Sequence, residues 1–392
     1  MRYAWLFPVF FFLSLPFAQC QQTSMLVLPG IRVPVLDTAA NAQLLRDLNE
    51  FLSNKNKPVD SNTLVAPAHA LETAALLDEM KDIEKSTNYK NDNFYRCYLN
   101  NLIAQQDGLF SIQLSYIGVH DSTSLLRGSF HLLAQKSGGR YYFYSPLEQI
   151  TKSWKVKKSG NIVFHYKDRI NEAQANSYVQ VVKKFDEKLG ISGRTMEFYC
   201  CDNFGEAQEL VGVQYKKDYN GIAYNSLSAF HKDKSICVAG SRNNNGFNEV
   251  DIHDLWHDRL HSTVAVDQIN RPVDEGCAYL YGGSWGISWP AILDTIRHYA
   301  SIHPDANWLN LYNESFNFSA ANQPPLNADF MINALIVKMI EKEKGFPKVM
   351  ELLCCGKAES GNENYFRALT RITGITKENF NATVQSLIAK AE

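Results

Sequence analysis

The chain has 392 residues, more than one ordinary hydrophobic core serves, and its length fits roughly two or three domains. Apolar residues make up 45% and charged residues 20%, which are globular values and exclude a disordered chain. The formal net charge is −2 with Lys and Arg scattered along the chain, which excludes the electrostatic footprint of a nucleic-acid binder or of a protein held on an anionic membrane.

Met1 to Gln19 reads as an export signal: Arg2 supplies the positive start, Leu6 to Phe17 the apolar run, and Ala18 a small residue near its end. The expected location is outside the cytoplasm: periplasmic, cell-surface or secreted. The run is short for a membrane span, and no later stretch approaches about 20 apolar residues, so no transmembrane helix is expected after signal removal. Cys20 leaves a lipid anchor open, but Gln19 stands where a lipobox prefers a small residue, and ordinary cleavage after Ala18 or Cys20 is favoured. Seven further cysteines, at 97, 200, 201, 237, 277, 354 and 355, lack the regular spacing of a disulfide framework, and no Cys-x-x-Cys pair suggests a thiolate metal site.

Past the signal, Leu44, Leu48, Phe51 and Leu52, then Leu71, Leu76, Leu77, Met80 and Ile83, recur at helical spacing. Four β-rich stretches follow, Phe94 to Ile103, Leu109 to Ile117, Leu125 to Ala134 and Arg140 to Tyr144, separated by turn residues such as Asp107-Gly108. Residues 24–150 therefore read as an α+β module, an antiparallel meander backed by helices, with a binding or positioning role. Thr151 to Ser159 is polar and Lys-rich and reads as a connector.

A second unit, residues 160–300, begins at Asn161. It carries a helix from Asn171 stopped by Gly190, a strand Met196 to Cys201, a short helix Glu206 to Val211 and a strand Ser235 to Ala239. Residues 301–392 read as mostly helical after a loop from Pro304 to Asn327. The whole chain is expected to be α+β.

The densest chemistry lies in Asp251-Ile-His-Asp-Leu-Trp-His-Asp-Arg-Leu-His261, followed by Arg271-Pro-Val-Asp-Glu-Gly-Cys-Ala-Tyr279. Four residues apart on a helix, His253 and His257 share a face and can aim both imidazoles at one ion. His261 continues the line but lies too far along the axis to join them, and reads as an outer residue. Pro272 suits the first turn of a second helix that ends at Gly282-Gly283, which puts Glu275 one turn in as a third ligand. Two imidazoles and a carboxylate leave zinc with an open position and a net positive charge, the electrostatic core of a hydrolytic centre. Asp254, next to the first His, is the candidate general base, and Asp258 a candidate to orient a ligand imidazole.

In this order of elements, and in the two-His helix followed by Glu275-Gly-x-Ala and Gly282-Gly283, residues 161 to about 353 resemble the gluzincin-type peptidases of the peptidase MA-like family. The resemblance implies zinc on His253, His257 and Glu275, a peptide or protein substrate laid along an edge strand at Ile236 to Ala239, and attack by a metal-activated water. Two departures stand out. The family's base is Glu where this chain has Asp254, and a tyrosine that serves the oxyanion aligns with Phe330; Tyr279, Tyr281, His298 and Tyr312 are the alternatives. A Gly-x-Ser-x-Gly match at Gly282 to Gly286 lacks the preceding strand that a serine nucleophile needs. The sequence thus supports a zinc metallopeptidase, with a catalytically silent extracytoplasmic binding protein on the same scaffold as the rival.

Overall fold

The computed structural model describes residues 26–27, 38–223, 225–240, 247, 251–321 and 323–391. The export signal expected from sequence, and Cys20, where a lipid anchor was left open, lie outside the described residues. The architecture is α+β, built on two sheets.

In the first module, β1 (Leu26–Val27) pairs parallel with β2 (Arg96–Ala104), and helices α1 (Thr38–Ser53) and α2 (Ala70–Met80) lie between them in the chain. The antiparallel meander continues through β3 (Leu109–His120), β4 (Thr123–Ser137) and β5 (Arg140–Tyr144), with Phe110, Ile112 and Leu114 of β3 turned to one buried core. A short helix α3 (Leu147–Thr151) leads out. The connector read from its lysines is in fact partly strand: β6 (Lys155–Ser159) is the outer strand of the second sheet. Lysines are a common device on sheet edges, where they discourage pairing with other chains, so its composition hid its conformation.

The second sheet runs in the order β10-β11-β8-β7-β6, from β7 (Ile162–Tyr166), β8 (Thr195–Cys201), β10 (Asn225–His231) and β11 (Lys234–Gly240). Helix α4 (Glu172–Leu189) separates β7 from β8; the Asn171 side chain caps it, and Gly190 ends it at φ 69°. Ile236 to Ala239, expected at an edge, lies inside the sheet between β10 and β8, and among the described residues the edge strands are β10 and β6. On β10 only Leu227 and Ala229 are buried.

Each face of the second sheet lines a different core. Ile236 and Val238 of β11 join α1, α2 and the first sheet, whereas Cys237 faces α4 and the helices of the C-terminal half. The boundary expected at residues 150–160 is crossed: helix α5 (Phe204–Val211) buries Ala207 and Leu210 in the first core, and β9 (Val213–Lys216) pairs with β4.

Helices α6 (Ile252–His261) and α7 (Arg271–Gly282) precede α8 (Trp289–Ile302) and α9 (Trp308–Asn313). Helix α9 breaks the expected loop of residues 304–327 and buries Trp308 and Tyr312. Helices α10 (Ala328–Lys344), α11 (Phe346–Leu353), α12 (Glu363–Thr373) and α13 (Phe380–Lys390) complete the second core. No helix among the described residues is long and apolar enough to cross a membrane.

Candidate metal centre

Helix α6 starts where Asp251 accepts hydrogen bonds from the backbone N–H groups of His253 and Asp254, a cap worth about 1 kcal/mol. Its buried stripe, Leu255, Trp256, Arg259 and Leu260, turns toward the second core, and Arg259 Nε donates to Asp186 of α4 at 2.6 Å. The adjoining, half-buried stripe carries His253 and His257.

Helix α7 is brought against α6 by glycine. A Cβ on Gly282 would stand 2.4 Å from the backbone nitrogen of His253, and one on Gly276 2.6 Å from Cβ of Asn333 on α10. With only hydrogens at both places, α7 fits between α6 and α10 and carries Glu275 to the two imidazoles.

The three expected ligands meet. His253 Nε2 lies 3.1 Å from His257 Nε2, and Glu275 Oε2 lies 3.4 Å from the first and 3.8 Å from the second. Donors bonded tetrahedrally to zinc at 2.0–2.1 Å stand about 3.3 Å apart, so this spacing suits an ion among them. The hydrogen bonds on the far side of each ring strengthen that reading. His253 Nδ1 is 2.7 Å from the carbonyl of Gly283, and His257 Nδ1 is 2.9 Å from Asp274 Oδ2. Both partners can only accept, so both Nδ1 atoms carry hydrogen and the neutral rings present Nε2 lone pairs to each other and to a carboxylate. Such a convergence calls for a proton or a metal cation.

Without a cation the protons supply it. Burial acts to lower the His257 pKa, but its bond to Asp274 and the charges of Asp274 and Glu275 prevail and push it up to about 9. Burial opposes protonation of His253 as well, and the Glu275 contact outweighs it, raising its pKa. Despite burial that would raise both, Glu275 is held below the usual carboxylate range by His253 and His257, and Asp274 by His257 and His261.

A second group, His69, Glu72 and Glu148, is built differently. One nitrogen, His69 Nδ1, lies 2.8 Å from Glu72 and 2.9 Å from the largely exposed Glu148. Those are hydrogen-bond distances that a single proton satisfies.

Asp254 is half-buried on the same turn as His253. Burial first, then the charge of Asp251, lifts its carboxyl to about 6, and it lies within electrostatic reach of His253, His257 and Glu275. Asp258 does not orient a ligand as expected: it accepts a hydrogen bond from Ser228 of β10 at 2.5 Å, and burial raises its pKa to about 6. The orienting residue is Asp274, which also accepts from Trp256 Nε1 at 2.9 Å. Its only trace in the sequence is its place beside Glu275 on the first turn of α7.

His261 lies outside the ligand set, 3.4 Å from Asp274. The tyrosine hydroxyls are occupied elsewhere: Tyr279 donates to Pro325 O at 3.3 Å, Tyr281 to Glu341 at 2.6 Å, and Tyr312 accepts from Asn333 at 3.1 Å. Phe330 packs edge-on against Tyr279 at 5.8 Å between ring centroids. Ser284 of the Gly-x-Ser-x-Gly match is buried in a turn closed by Ile287 and follows a helix, the wrong setting for a nucleophile elbow.

No family model matches this chain, and no curated protein matches it. The geometry of the His253, His257 and Glu275 cluster carries the functional reading.

Proposed function

We propose that this chain is an exported, zinc-dependent metallopeptidase-like protein of the gluzincin type, hydrolysing peptide bonds in a peptide or protein substrate. One observation carries the reading: two imidazoles with committed Nδ1 hydrogens and one carboxylate converge their lone pairs on a single point. Two nitrogens and one oxygen are an ordinary donor set for catalytic zinc. Bound there, zinc would supply a Lewis acid that polarises a carbonyl and makes water acidic at neutral pH.

The protein's own groups then divide the work. Asp274 and Gly283 hold the two rings in one tautomer and orientation. Asp254, beside the first ligand, accepts the proton of the attacking water and returns it to the leaving amine. Among the described residues, strand β10 has a strand neighbour on one side only, so its outer edge can receive an extended peptide as an added strand.

A second reading, a catalytically silent extracytoplasmic binding protein on the same scaffold, draws support from two features. Asp254 is one methylene, roughly 1.5 Å, shorter than a glutamate at that place, and misplacement on that scale costs about a hundredfold in rate. In addition, three tyrosine hydroxyls that could serve an oxyanion are engaged elsewhere. The experiment is elemental analysis of purified protein together with turnover of a peptide library, for wild type, His257→Ala and Asp254→Ala. One zinc lost in His257→Ala, with chelator-sensitive hydrolysis lost in both variants, supports the peptidase. Zinc without turnover supports the silent protein, and no bound metal sinks the peptidase.

A further inference from the structure

A cavity of about 260 Å³ opens where the first module meets the hairpin formed by β10 and β11. None of its lining residues belongs to the metal centre. Its floor is apolar, with Val59 from a 3-10 turn, Ala74 and Leu77 from α2, and Phe230 from the end of β10. Leu77 and Ala74 are otherwise core residues, so the cavity reaches down to the interior between the two modules.

The rim is charged and unbalanced. Three lysines, 57, 81 and 232, and His231 face two aspartates, 60 and 78. Both aspartates already have partners: His231 Nε2 lies 2.8 Å from Asp60 Oδ1, and Lys81 Nζ 2.5 Å from Asp78 Oδ1. Lys57 and Lys232 make no salt bridge with a described residue, although Lys232 is within electrostatic reach of Asp60.

We propose that this cavity is a binding site for an organic monocarboxylate with an apolar body, its chain or ring on Leu77, Val59 and Phe230 and its carboxylate between Lys57 and Lys232. The lining selects the class: two lysines that make no salt bridge with a described residue stand over an apolar floor, which matches a carboxylate head on an apolar body. An apolar cavity of about 150 Å³ accepts benzene, so this volume has room for about ten heavy atoms. Because its walls come from both modules, an occupied cavity ties α2 to the hairpin that carries the open edge strand. It adds to the core contact that α2 already makes with β10, and it does not depend on metal binding or on peptidase activity.

The test is isothermal titration of the full chain with 3-phenylpropionate, its uncharged amide and acetate, in wild type and in a Lys57→Glu, Lys232→Asn double variant. Asn is chosen because position 232 has φ 56°, which Asn tolerates. The acid is expected to bind at least about tenfold more tightly than the amide or acetate, and the double variant to weaken it about tenfold. His257→Ala is expected to bind the acid as wild type does, which separates this site from the metal centre. Hydrogen exchange should slow in residues 57–61 and 229–233 together when the acid is present. No binding of the acid, equal binding of acid and amide, or affinity unchanged in a folded double variant overturns the proposal. Should the double variant not fold, the wild-type comparison of acid with amide decides alone.

Discussion

Asp274 holds His257 by Oδ2 at 2.9 Å while its other oxygen, Oδ1, accepts the indole N–H of Trp256 at 2.9 Å, so one carboxylate fixes two successive residues of the neighbouring helix. Trp256 is fully buried and anchors α6 in the second core. Through Asp274 the orientation of a ligand imidazole is thereby tied to the largest buried side chain of its helix.

Removing the charge while keeping the shape separates the two jobs of this residue. In Asp274→Asn the side-chain oxygen can still accept from one partner, but the attraction for His257 is lost. Outer residues of this kind typically account for 10–100-fold in metal affinity, and a fall of roughly that size is expected in a zinc competition titration. Asp274→Ala is expected to lower stability as well, by about 1–3 kcal/mol, because the Trp256 N–H is left buried without a partner. Chemical denaturation of the chelated protein reads the second effect apart from the first.

The proton that replaces the metal gives opposite pH trends in the two forms. The His257 pKa is raised from its ordinary value to about 9, so its contribution to stability in metal-free protein is fully present below about 6.5 and is lost as pH rises through 9. Chelated protein is therefore expected to melt at a lower temperature at pH 9.5 than at pH 7 on account of this group. Zinc must displace the protons, so its affinity rises with pH up to about 9, by as much as about tenfold per unit for each proton released. Calorimetry in buffers of different ionisation heat counts those protons, and a zinc affinity independent of pH between 6 and 8 would contradict the proposed ligands.

The helix pair was legible in the sequence because its signals are local. Asp251 before the first turn, the four-residue spacing of His253 and His257, Pro272 at the start of α7 and Gly282 at its end each act within one turn of chain. Asp274 was not legible as the orienting residue, since its meaning depends on α7 lying across α6 with the Trp256 indole within reach. Asp258 looked equally suitable by proximity in sequence, and its true partner, Ser228, is on strand β10, where no element is expected from sequence. The edge strands β6 and β10 were hidden for a related reason. Each buries few side chains, so hydrophobic alternation, the main cue for a strand, is faint there. Segment 204–216 shows helical and strand character locally, but nothing in it reveals that it packs into the first module rather than the second.

Gly282→Ala is expected to damage the centre without touching a ligand. The added methyl would sit 2.4 Å from the His253 nitrogen and 2.7 Å from the Ile252 carbonyl carbon, both backbone atoms that cannot swing away. Helix α7 must then shift from α6, and Glu275 with it. A loss of about 1–3 kcal/mol in stability and a clear weakening of zinc binding are expected. Wild-type zinc affinity in a folded Gly282→Ala protein would show that the close approach is not needed to place Glu275.

Asp254 decides between the two proposed functions, and lengthening it is the direct trial. Asp254→Glu moves the carboxylate outward by roughly 1.5 Å on an otherwise unchanged helix face. If reach limits proton transfer, turnover of a peptide substrate is expected to rise, by up to about a hundredfold, with zinc stoichiometry unchanged. Asp254→Ala is expected to abolish turnover and leave zinc in place. The pH profile supplies an independent readout. As a base, Asp254 must be ionised, so the rate of the wild type should fall as pH drops through its pKa. Burial and Asp251 put that value at about 6 in metal-free protein, and a bound cation favours the ionised form, so the acid limb is expected at or below 6. A limb that stays in place when Asp254 is changed to Ala would assign the base to another group.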